Sequence, residues 1–427
     1  MVLLVESYAC NRSSDFYASL PILVFLLILC QRSFRMPFVA ILAINTLILL
    51  LIGVPALDLI LRAIPHPARK RPDPREELYS YRNAVRDPAA FGRWCDAFDG
   101  EFHKMVKEIF VPDPMGQFLP HPKPSSHTQF FDSTISINRL GFRGKEVLRE
   151  KGNAYRIVAV GESTTFGVTM RADDSPWPEV LEQFIRERLQ PQRPVEVINA
   201  GISCWELKAN IRRLTAEILP LHPDMIISYH GYNGFGMIRG IVPLSNRYVV
   251  PIYRRRPVQL LAECEYRLRV MNAVRSEQAL LATRGAASIA PLKTEYAQAY
   301  EELIQIAQTN NIRLVLADYC MAVNEHSPQP MLDFYGRRYP SVAWFIKENQ
   351  IHTTIVQQLA QQHPEVRFVD THPNLDGDHE KFIDLMHFTQ AGRQQLAESM
   401  FAGIRDLLAA DIAAPGSGKD NTSERGR

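Results

Sequence analysis

Two long uncharged runs near the start of the chain constrain its fold more than any other feature. The first 61 residues hold only six charged side chains, whereas the other 366 residues hold 88. Residues 36–57 form an uncharged run of 22 residues rich in Ile, Leu and Val. As a helix this run would be about 33 Å long, enough to cross the hydrocarbon core of a bilayer. Residues 16–31 are also uncharged, but as a helix of about 24 Å they would span only with polar flanking residues.

We therefore predict a membrane anchor over residues 1–64, with hydrophobic segments at 16–33 and 36–60. A cleaved signal peptide fits less well, because no basic residue precedes Arg12 and a second apolar run follows the first. Two buried core helices are the other alternative, and the high apolar density of both runs argues against it.

The positive-inside rule leaves two orientations of this anchor open. Arg32 and Arg35, between the two runs, favour a cytoplasmic loop and therefore an extracytoplasmic body. Six basic residues on the other side favour a cytoplasmic body: Arg12, Arg62, Arg69, Lys70, Arg71 and Arg75. Large domains translocate largely regardless of their charge, so we take an extracytoplasmic body as the prediction and keep the other as its alternative.

Composition excludes two classes for the rest of the chain. A net charge of +2 lacks the basic excess of a nucleic-acid binder. A hydrophobic content of 46% excludes a disordered chain. The cysteines after the anchor are scattered singly, without a CxxC pair, and we interpret them as buried thiols: Cys95, Cys204, Cys264 and Cys320. We expect a globular body with its own core.

A group of His and Asp residues near the C-terminal end is the one candidate for a metal site. Its members are His363, His372, Asp376, Asp378 and His379. Neither the HExxH motif nor the EF-hand pattern is present, so we interpret this group as a solvated loop and expect no metal and no cofactor.

The order of elements predicts how the body is organised. Residues 65–130 read as a Pro-rich linker and a helical stalk, with a helix over Pro88–Phe110. From residue 155 onward, strands and helices alternate as in a parallel α/β sheet. The predicted strands are 156–160, 195–201, 224–231, 312–319 and 366–370, and the predicted helices are 177–189, 207–219, 294–309, 351–362 and 389–408. Residues 411–427 read as a disordered tail.

Unusual residues follow the ends of these strands. Ser163 comes after the first strand, Gly201 after the second and Asn233 after the third, and Asp384 and His387 precede the last helix. In a doubly wound sheet, functional residues collect beyond the carboxyl ends of the strands, so these five residues are expected to meet.

This set resembles the SGNH (GDSL-like) hydrolase family, whose four sequence blocks it matches in order from about residue 155 to 408. Glu162 stands where the first block usually has Asp, and Gly234 stands where the third block usually has Asp. The resemblance implies an α/β fold with a flavodoxin-like doubly wound parallel sheet. It also implies a hydrolase domain over residues 131–410, with an insertion at about 236–293.

The resemblance assigns a role to each of these residues. Ser163 would be the nucleophile, His387 its general base and Asp384 the carboxylate that orients the imidazole. The backbone N–H groups of Ser163 and Gly201 and the side-chain amide of Asn233 would form the oxyanion hole. A side chain at position 201 is expected to obstruct the approach of the substrate carbonyl oxygen. A serine in a strand-end loop is otherwise most often a helix N-cap, and an asparagine there a turn former.

Two further features are open to two interpretations each. Residues 239–284 carry nine Arg, three Glu and no Lys or Asp, which fits a lid or membrane-surface helix, or a cover helix with solvated arginines. Arg143, in a segment common ahead of the first block in membrane-tethered members of the family, fits a substrate contact or a structural contact.

The sequence thus predicts a membrane-anchored SGNH-type serine esterase that hydrolyses acyl esters, with acetyl as a candidate acyl group. Its expected partners are an acyl-ester substrate on cell-envelope carbohydrate or lipid, and the membrane, but not nucleic acid. An O-acyltransferase that uses the same site and a non-catalytic SGNH-like scaffold are the alternatives.

Overall fold

The computed structural model describes Thr46 and residues 98, 100–102, 104–106, 108–112, 120–240, 289–339 and 341–413. Both predicted membrane segments lie outside the described residues, apart from Thr46, and so do residues 241–288 of the predicted insertion. Within the described ranges, no helix combines the length and the apolar character needed to cross a bilayer.

Nine strands are described. In chain order they are β1 (Phe110–Pro112), β2 (Pro120–Pro122), β3 (Ser126–Phe130), β4 (Ser133–Ile137), β5 (Tyr155–Gly161), β6 (Val195–Asn199), β7 (Met225–Tyr229), β8 (Arg313–Ala317) and β9 (Arg367–Val369). Strands β1 and β2 pair antiparallel, as do β3 and β4. The other five form a parallel sheet in the order β6-β5-β7-β8-β9. This is the flavodoxin-like order, so the predicted parallel α/β sheet is confirmed.

Eight α-helices lie entirely within the described part of the chain. They are α1 (Ser163–Phe166), α2 (Trp177–Arg188), α3 (Leu207–Arg213), α4 (Phe235–Ile238), α5 (Glu295–Thr309), α6 (Gln329–Arg338), α7 (Val342–Gln362) and α8 (Gln390–Ala413). Helices α2 and α8 pack together, and α5 packs against both α3 and α7. The sheet is thus covered by two groups of helices.

Strand β5 lies inside the sheet, between β6 and β7, as its sequence predicts. Every residue of YRIVAVG in β5 is buried, as expected for a strand that is covered on both faces. Ala159 of β5 pairs with Asn199 of β6 on one side and with Ile227 of β7 on the other. The chain order reverses between β5 and β7, and the crevice beyond their carboxyl ends is where such folds bind ligands.

Helix ends follow local chemistry. Helix α2 begins with Trp177 and Pro178, and proline is favoured there because the first helical N–H groups have no partner within the helix. Thr294 caps α5 by accepting the Ala297 N–H at 3.1 Å. Helix α8 continues to Ala413, into the segment predicted as a tail, because Asp411 pairs with Arg313 at 2.8 Å.

The described residues of the predicted stalk pack against the sheet domain. The described residues at 98, 100–102, 104–106 and 108–109 are helical. Met105 and Ile109 are fully buried in a second hydrophobic cluster that also contains Phe166 of α1. This cluster therefore supports the short helix that follows β5.

The structure also bears on two other predictions, the buried thiols and the basic insertion. Of the predicted buried thiols, Cys320 is buried and Cys204 is partly exposed, while Cys95 and Cys264 lie outside the described residues. Arg239, at the start of the basic insertion, is buried and donates to Glu348 of α7 at 2.8 Å. This arginine therefore does not belong to a solvated basic surface.

Candidate active site

Ser163 lies where β5 turns into α1. Glu162 is the residue between them, in an extended conformation, and Ser163 is the first helical residue. The turn is close-packed, because a Cβ atom at Gly161 would lie 2.4 Å from the carbonyl oxygen of Tyr229. The side chain of Ser163 is thereby held at the carboxyl edge of the sheet.

His387 and Asp384 reach Ser163 from one loop before α8. His387 Nε2 lies 2.8 Å from Ser163 Oγ, and His387 Nδ1 lies 2.7 Å from Asp384 Oδ2. The loop folds back on itself, because the Ile383 N–H donates to the carbonyl of His387 at 2.7 Å. The three-residue spacing thus lets the carboxylate and the imidazole line up with the serine hydroxyl.

Asp384 is held as a carboxylate. Its Oδ1 accepts the backbone N–H groups of Met386 at 2.8 Å and His387 at 2.7 Å. Burial alone would raise the pKa of Asp384, but the charge and hydrogen bonds of His387 and the Met386 N–H outweigh it, so the pKa lies below its ordinary value. With Asp384 ionised, the Nδ1 proton stays on the imidazole and Nε2 can take the proton of Ser163.

Asn233 follows β7 in a single turn, Tyr232–Gly234. Its side-chain Nδ2 donates to the carbonyl of Trp205 at 3.3 Å, which fixes the direction of the amide. An amide nitrogen carries two N–H groups, so the second can donate to a bound oxygen.

Gly201 has a reason for being glycine that the sequence alone did not suggest. A Cβ atom there would lie 2.2 Å from the backbone N of Phe166 and 2.7 Å from the carbonyl carbon of Thr165. An added side chain at position 201 would therefore collide with α1. The Gly201 N–H donates to Asn199 Oδ1 at 3.0 Å, so it already has an acceptor within the protein.

Glu162 is a candidate site residue to which the sequence alone assigned no role. It is 1% exposed, and its two oxygens accept the N–H groups of Gly231 and Asn233, each at 3.0 Å. Burial raises the pKa of Glu162 to about 8, although these backbone N–H groups act in the opposite direction. The only signal in the sequence was the Glu in place of the usual Asp of the first block.

Arg143 makes structural contacts beside α1. It is buried, its guanidinium carbon lies 5.9 Å from the ring centre of Phe166, and Nη2 lies 3.4 Å from Thr169 Oγ1. Its backbone N–H donates to the carbonyl of Asn199 at 3.1 Å. It therefore supports α1 and the end of β6 from behind.

Residues 159–395 match the sequence profile of the GDSL-like Lipase/Acylhydrolase family. The chain belongs to this family. The match contains all four sequence blocks, so the predicted membership of the GDSL-like family is confirmed. The protein is a GDSL-like hydrolase that acts on ester bonds. No curated protein sequence matches the chain.

Several solved structures resemble this GDSL-like hydrolase. A lipase/acylhydrolase from Enterococcus faecalis is 15% identical, with a TM-score of 0.37, and the match covers 59% of this chain and 96% of that one. A family 3 carbohydrate esterase from Clostridium thermocellum is 15% identical, with a TM-score of 0.36 and coverage of 60% and 98%. The acetylxylan esterase Axe2 from Geobacillus stearothermophilus is 14% identical, with a TM-score of 0.36 and coverage of 58% and 94%.

Proposed function

We propose that this GDSL-like hydrolase is a serine esterase in which Ser163, His387 and Asp384 act as a catalytic triad. The observation that carries the proposal is the continuous chain of contacts, 2.8 Å from Ser163 Oγ to His387 Nε2 and 2.7 Å from His387 Nδ1 to Asp384 Oδ2. Both distances fall within the reach required of a nucleophile and its base.

The reaction proceeds through an acyl-enzyme. His387 takes the hydroxyl proton as Ser163 Oγ attacks the ester carbonyl carbon, and the imidazolium returns that proton to the departing alcohol oxygen. Water then attacks the acyl-enzyme, His387 accepts a proton from the water, and the proton returns to Ser163 Oγ as the carboxylic acid leaves. Asp384 stabilises the imidazolium in both steps without taking up the proton.

The Asn233 amide and the Ser163 backbone N–H are the proposed main donors to the oxyanion. Gly201 is a third donor that must share its N–H with Asn199, which it contacts at 3.0 Å. Removal of one such donor typically costs about 2.7–4 kcal/mol of transition-state stabilisation.

The proposed substrate is an acyl ester, with acetyl as the first candidate, on carbohydrate or lipid of the cell envelope. The support is in the sequence, because the uncharged runs at 16–31 and 36–57 would hold the hydrolase at a bilayer. Extraction of membranes with carbonate should leave the full-length chain in the pellet, and protease added to intact cells should cleave an extracytoplasmic body. Release into the supernatant would contradict the anchor, and protection from protease would contradict the orientation.

Replacement of the nucleophile tests the proposed mechanism. The Ser163→Ala variant should lose hydrolysis of p-nitrophenyl acetate while its thermal unfolding stays that of the wild type. Ser203→Ala is the matched control, because Ser203 is a buried serine in the loop after β6 whose hydroxyl makes no hydrogen bond to His387 in the described structure. Turnover by Ser163→Ala close to that of the wild type would refute the assignment.

A further inference from the structure

A second polar site lies beyond the carboxyl ends of β8 and β9. A cavity of about 490 Å³ is lined there by four acidic residues, Asp318, Glu325, Asp370 and Asp376. None of the described residues that line it is Lys or Arg, and the basic groups that face it are His326 and His372. Four carboxylates with so little opposing charge favour a cation in this cavity.

The strongest sign of a missing partner is Asp318, which is fully buried. Its Oδ1 accepts the backbone N–H of Thr371 at 2.7 Å and the Thr371 hydroxyl at 2.8 Å. Its Oδ2 has no hydrogen-bond partner and lies 3.5 Å from His372 Nε2. Burial of a carboxylate oxygen without a hydrogen bond is costly, so this oxygen requires a ligand or a charge.

A second buried oxygen in the same cavity is also without a hydrogen-bond partner. Asn349 is 5% exposed, and its Nδ2 donates to the carbonyl of Tyr319 at 2.8 Å, while its Oδ1 has no partner. His372 Nε2 lies 3.1 Å from the same carbonyl, so Asn349 and His372 are neighbours.

The ligand atoms are close enough for one ion. Asp318, Asp370 and His372 each offer one ligand atom, and these three atoms lie within 4.8 Å of one another. Ligands about 2.0–2.2 Å from a metal lie at most about 4.4 Å from one another, so small side-chain movements complete the site. Asp370 Oδ1 accepts the backbone N–H of His372 at 3.1 Å, which fixes the turn that carries both residues.

A second group of side chains around His372 fits a metal less well. It consists of Cys320, Asp376 and His372. Asp376 already accepts the Met321 N–H and the Asn324 amide, each at 2.9 Å, and the Cys320 thiol lies 3.4 Å from the carbonyl of Thr371. Asp376 therefore supports the loop from behind and keeps the cavity negative.

We propose that Asp318, Asp370 and His372 bind a divalent cation that links the ends of β8 and β9. A ligand set of carboxylates with one imidazole suits Zn²⁺ or Mn²⁺ better than Mg²⁺ or Ca²⁺, which prefer oxygen ligands alone. The sequence pattern placed His372 in a solvated loop, because Asp318 is more than fifty positions away and joins it only through the pairing of the sheet. The same loop continues to Asp384 and His387, so the cation would anchor the loop that carries the proposed base.

Metal titration of the full-length chain tests the site independently of esterase activity. The protein is treated with EDTA and titrated with ZnCl₂, MnCl₂, CaCl₂ or MgCl₂ in a calorimeter. We expect one equivalent of Zn²⁺ or Mn²⁺ to bind, with a rise in the unfolding temperature that grows with metal concentration. Weaker binding of Ca²⁺ and Mg²⁺ is part of the expectation.

Substitutions of the proposed ligands test where the metal ion binds. Asp370→Asn and His372→Ala should each weaken the affinity by about 10- to 100-fold or more, by comparison with the effect of outer-shell changes. Glu325→Gln is the matched control, since it removes a carboxylate from the same cavity without removing a proposed ligand. Asp318 is fully buried, so Asp318→Asn could disturb the fold itself. The test therefore uses substitutions of His372, which is partly exposed, and Asp370, which is exposed.

Two results would overturn the proposal. One is the absence of binding at millimolar metal by protein with a wild-type circular dichroism spectrum, which would leave the contact between His372 and Asp318 as the account of this cluster. The other is stoichiometric binding that neither Asp370→Asn nor His372→Ala weakens.

Discussion

Replacement of Glu162 by Gln should disturb the geometry of the active site while the protein still folds. Glu162 precedes the proposed nucleophile and accepts the Gly231 and Asn233 N–H groups at 3.0 Å each. It therefore joins the end of β5 to the loop that presents the Asn233 amide. A Gln retains the shape and one acceptor oxygen but turns an NH₂ group toward the other N–H.

The magnitude follows from the bonds that are lost. Above about pH 8, where Glu162 is ionised, each of its hydrogen bonds contributes about 1.5–3 kcal/mol, and a buried N–H left unpaired costs about as much again. If Asn233 leaves its position, an oxyanion donor worth about 2.7–4 kcal/mol is lost. We expect kcat to fall between about 10-fold and 10³-fold, with KM nearly unchanged, since the interaction is made in the transition state.

The pH dependence makes this prediction specific to Glu162. Its pKa is raised to about 8, so above that pH both oxygens are full acceptors, while below it one oxygen carries a proton. The kcat of the wild type for p-nitrophenyl acetate should therefore rise through about pH 8, and Glu162→Gln should lack this rise. Glu179→Gln, which alters a carboxylate on α2 whose pKa burial also raises, should retain it.

The free energy of unfolding should decrease as the pH rises, whereas kcat should increase. The folded protein keeps the proton of Glu162 to about pH 8, whereas the unfolded chain loses it near pH 4.5. Unfolding thus releases a proton between these two values, and stability falls as the pH rises across this window, by at most about 1.4 kcal/mol per pH unit. The difference in unfolding free energy between wild type and Glu162→Gln should follow this slope. A variant with wild-type kcat and no change in either pH profile would refute the positioning role.

Three other substitutions give distinct outcomes. Asp384→Asn should lower kcat by about 10⁴-fold with little change in KM, as measured in steady-state assays, and a loss under 10-fold would contradict the orienting role. Gly201→Ala should lower the unfolding temperature, because the added Cβ meets the backbone of Phe166 at 2.2 Å, and an unchanged temperature in calorimetry would contradict that reason. Arg393→Met should cost about 3–5 kcal/mol in urea denaturation, because the buried carboxylate of Asp174, now 2.9 Å from the guanidinium, keeps the N–H groups of Met170 and Arg171 but loses its positive counter-charge. A cost below about 1 kcal/mol would contradict this reasoning and would indicate that water solvates Asp174 in the variant.

The parallel sheet could be predicted from the sequence because its strands are buried on both faces. The apolar runs in β5 and β7 are continuous, and periodicity identified α2 and α5 to within a residue or two. The first turns of α7 were missed, since the helix begins at Val342 and not at residue 351. Glu348 and Asn349 are polar residues in the buried face of α7, and they interrupt the pattern that marks an amphipathic helix.

The sequence predicted which residues of the candidate site would lie together, but not the contacts of Glu162 and Gly201. The position of Ser163, Asn233 and the Asp384–His387 pair follows from strand ends that meet at one edge of the sheet. The role of Glu162 depends on which strand lies beside β5, and the sequence does not state that β7 is that neighbour. The need for glycine at 201 depends on the packing of α1 against the end of β6, which is a tertiary contact.

Labelling with a fluorophosphonate tests the central claim most directly, because the reagent modifies a serine only when its hydroxyl is activated by a base. The full-length chain should take up one equivalent, and mass spectrometry should locate the label on Ser163. His387→Ala should abolish labelling while the protein remains folded. No labelling of folded wild-type protein, or a label on another serine, would contradict the account.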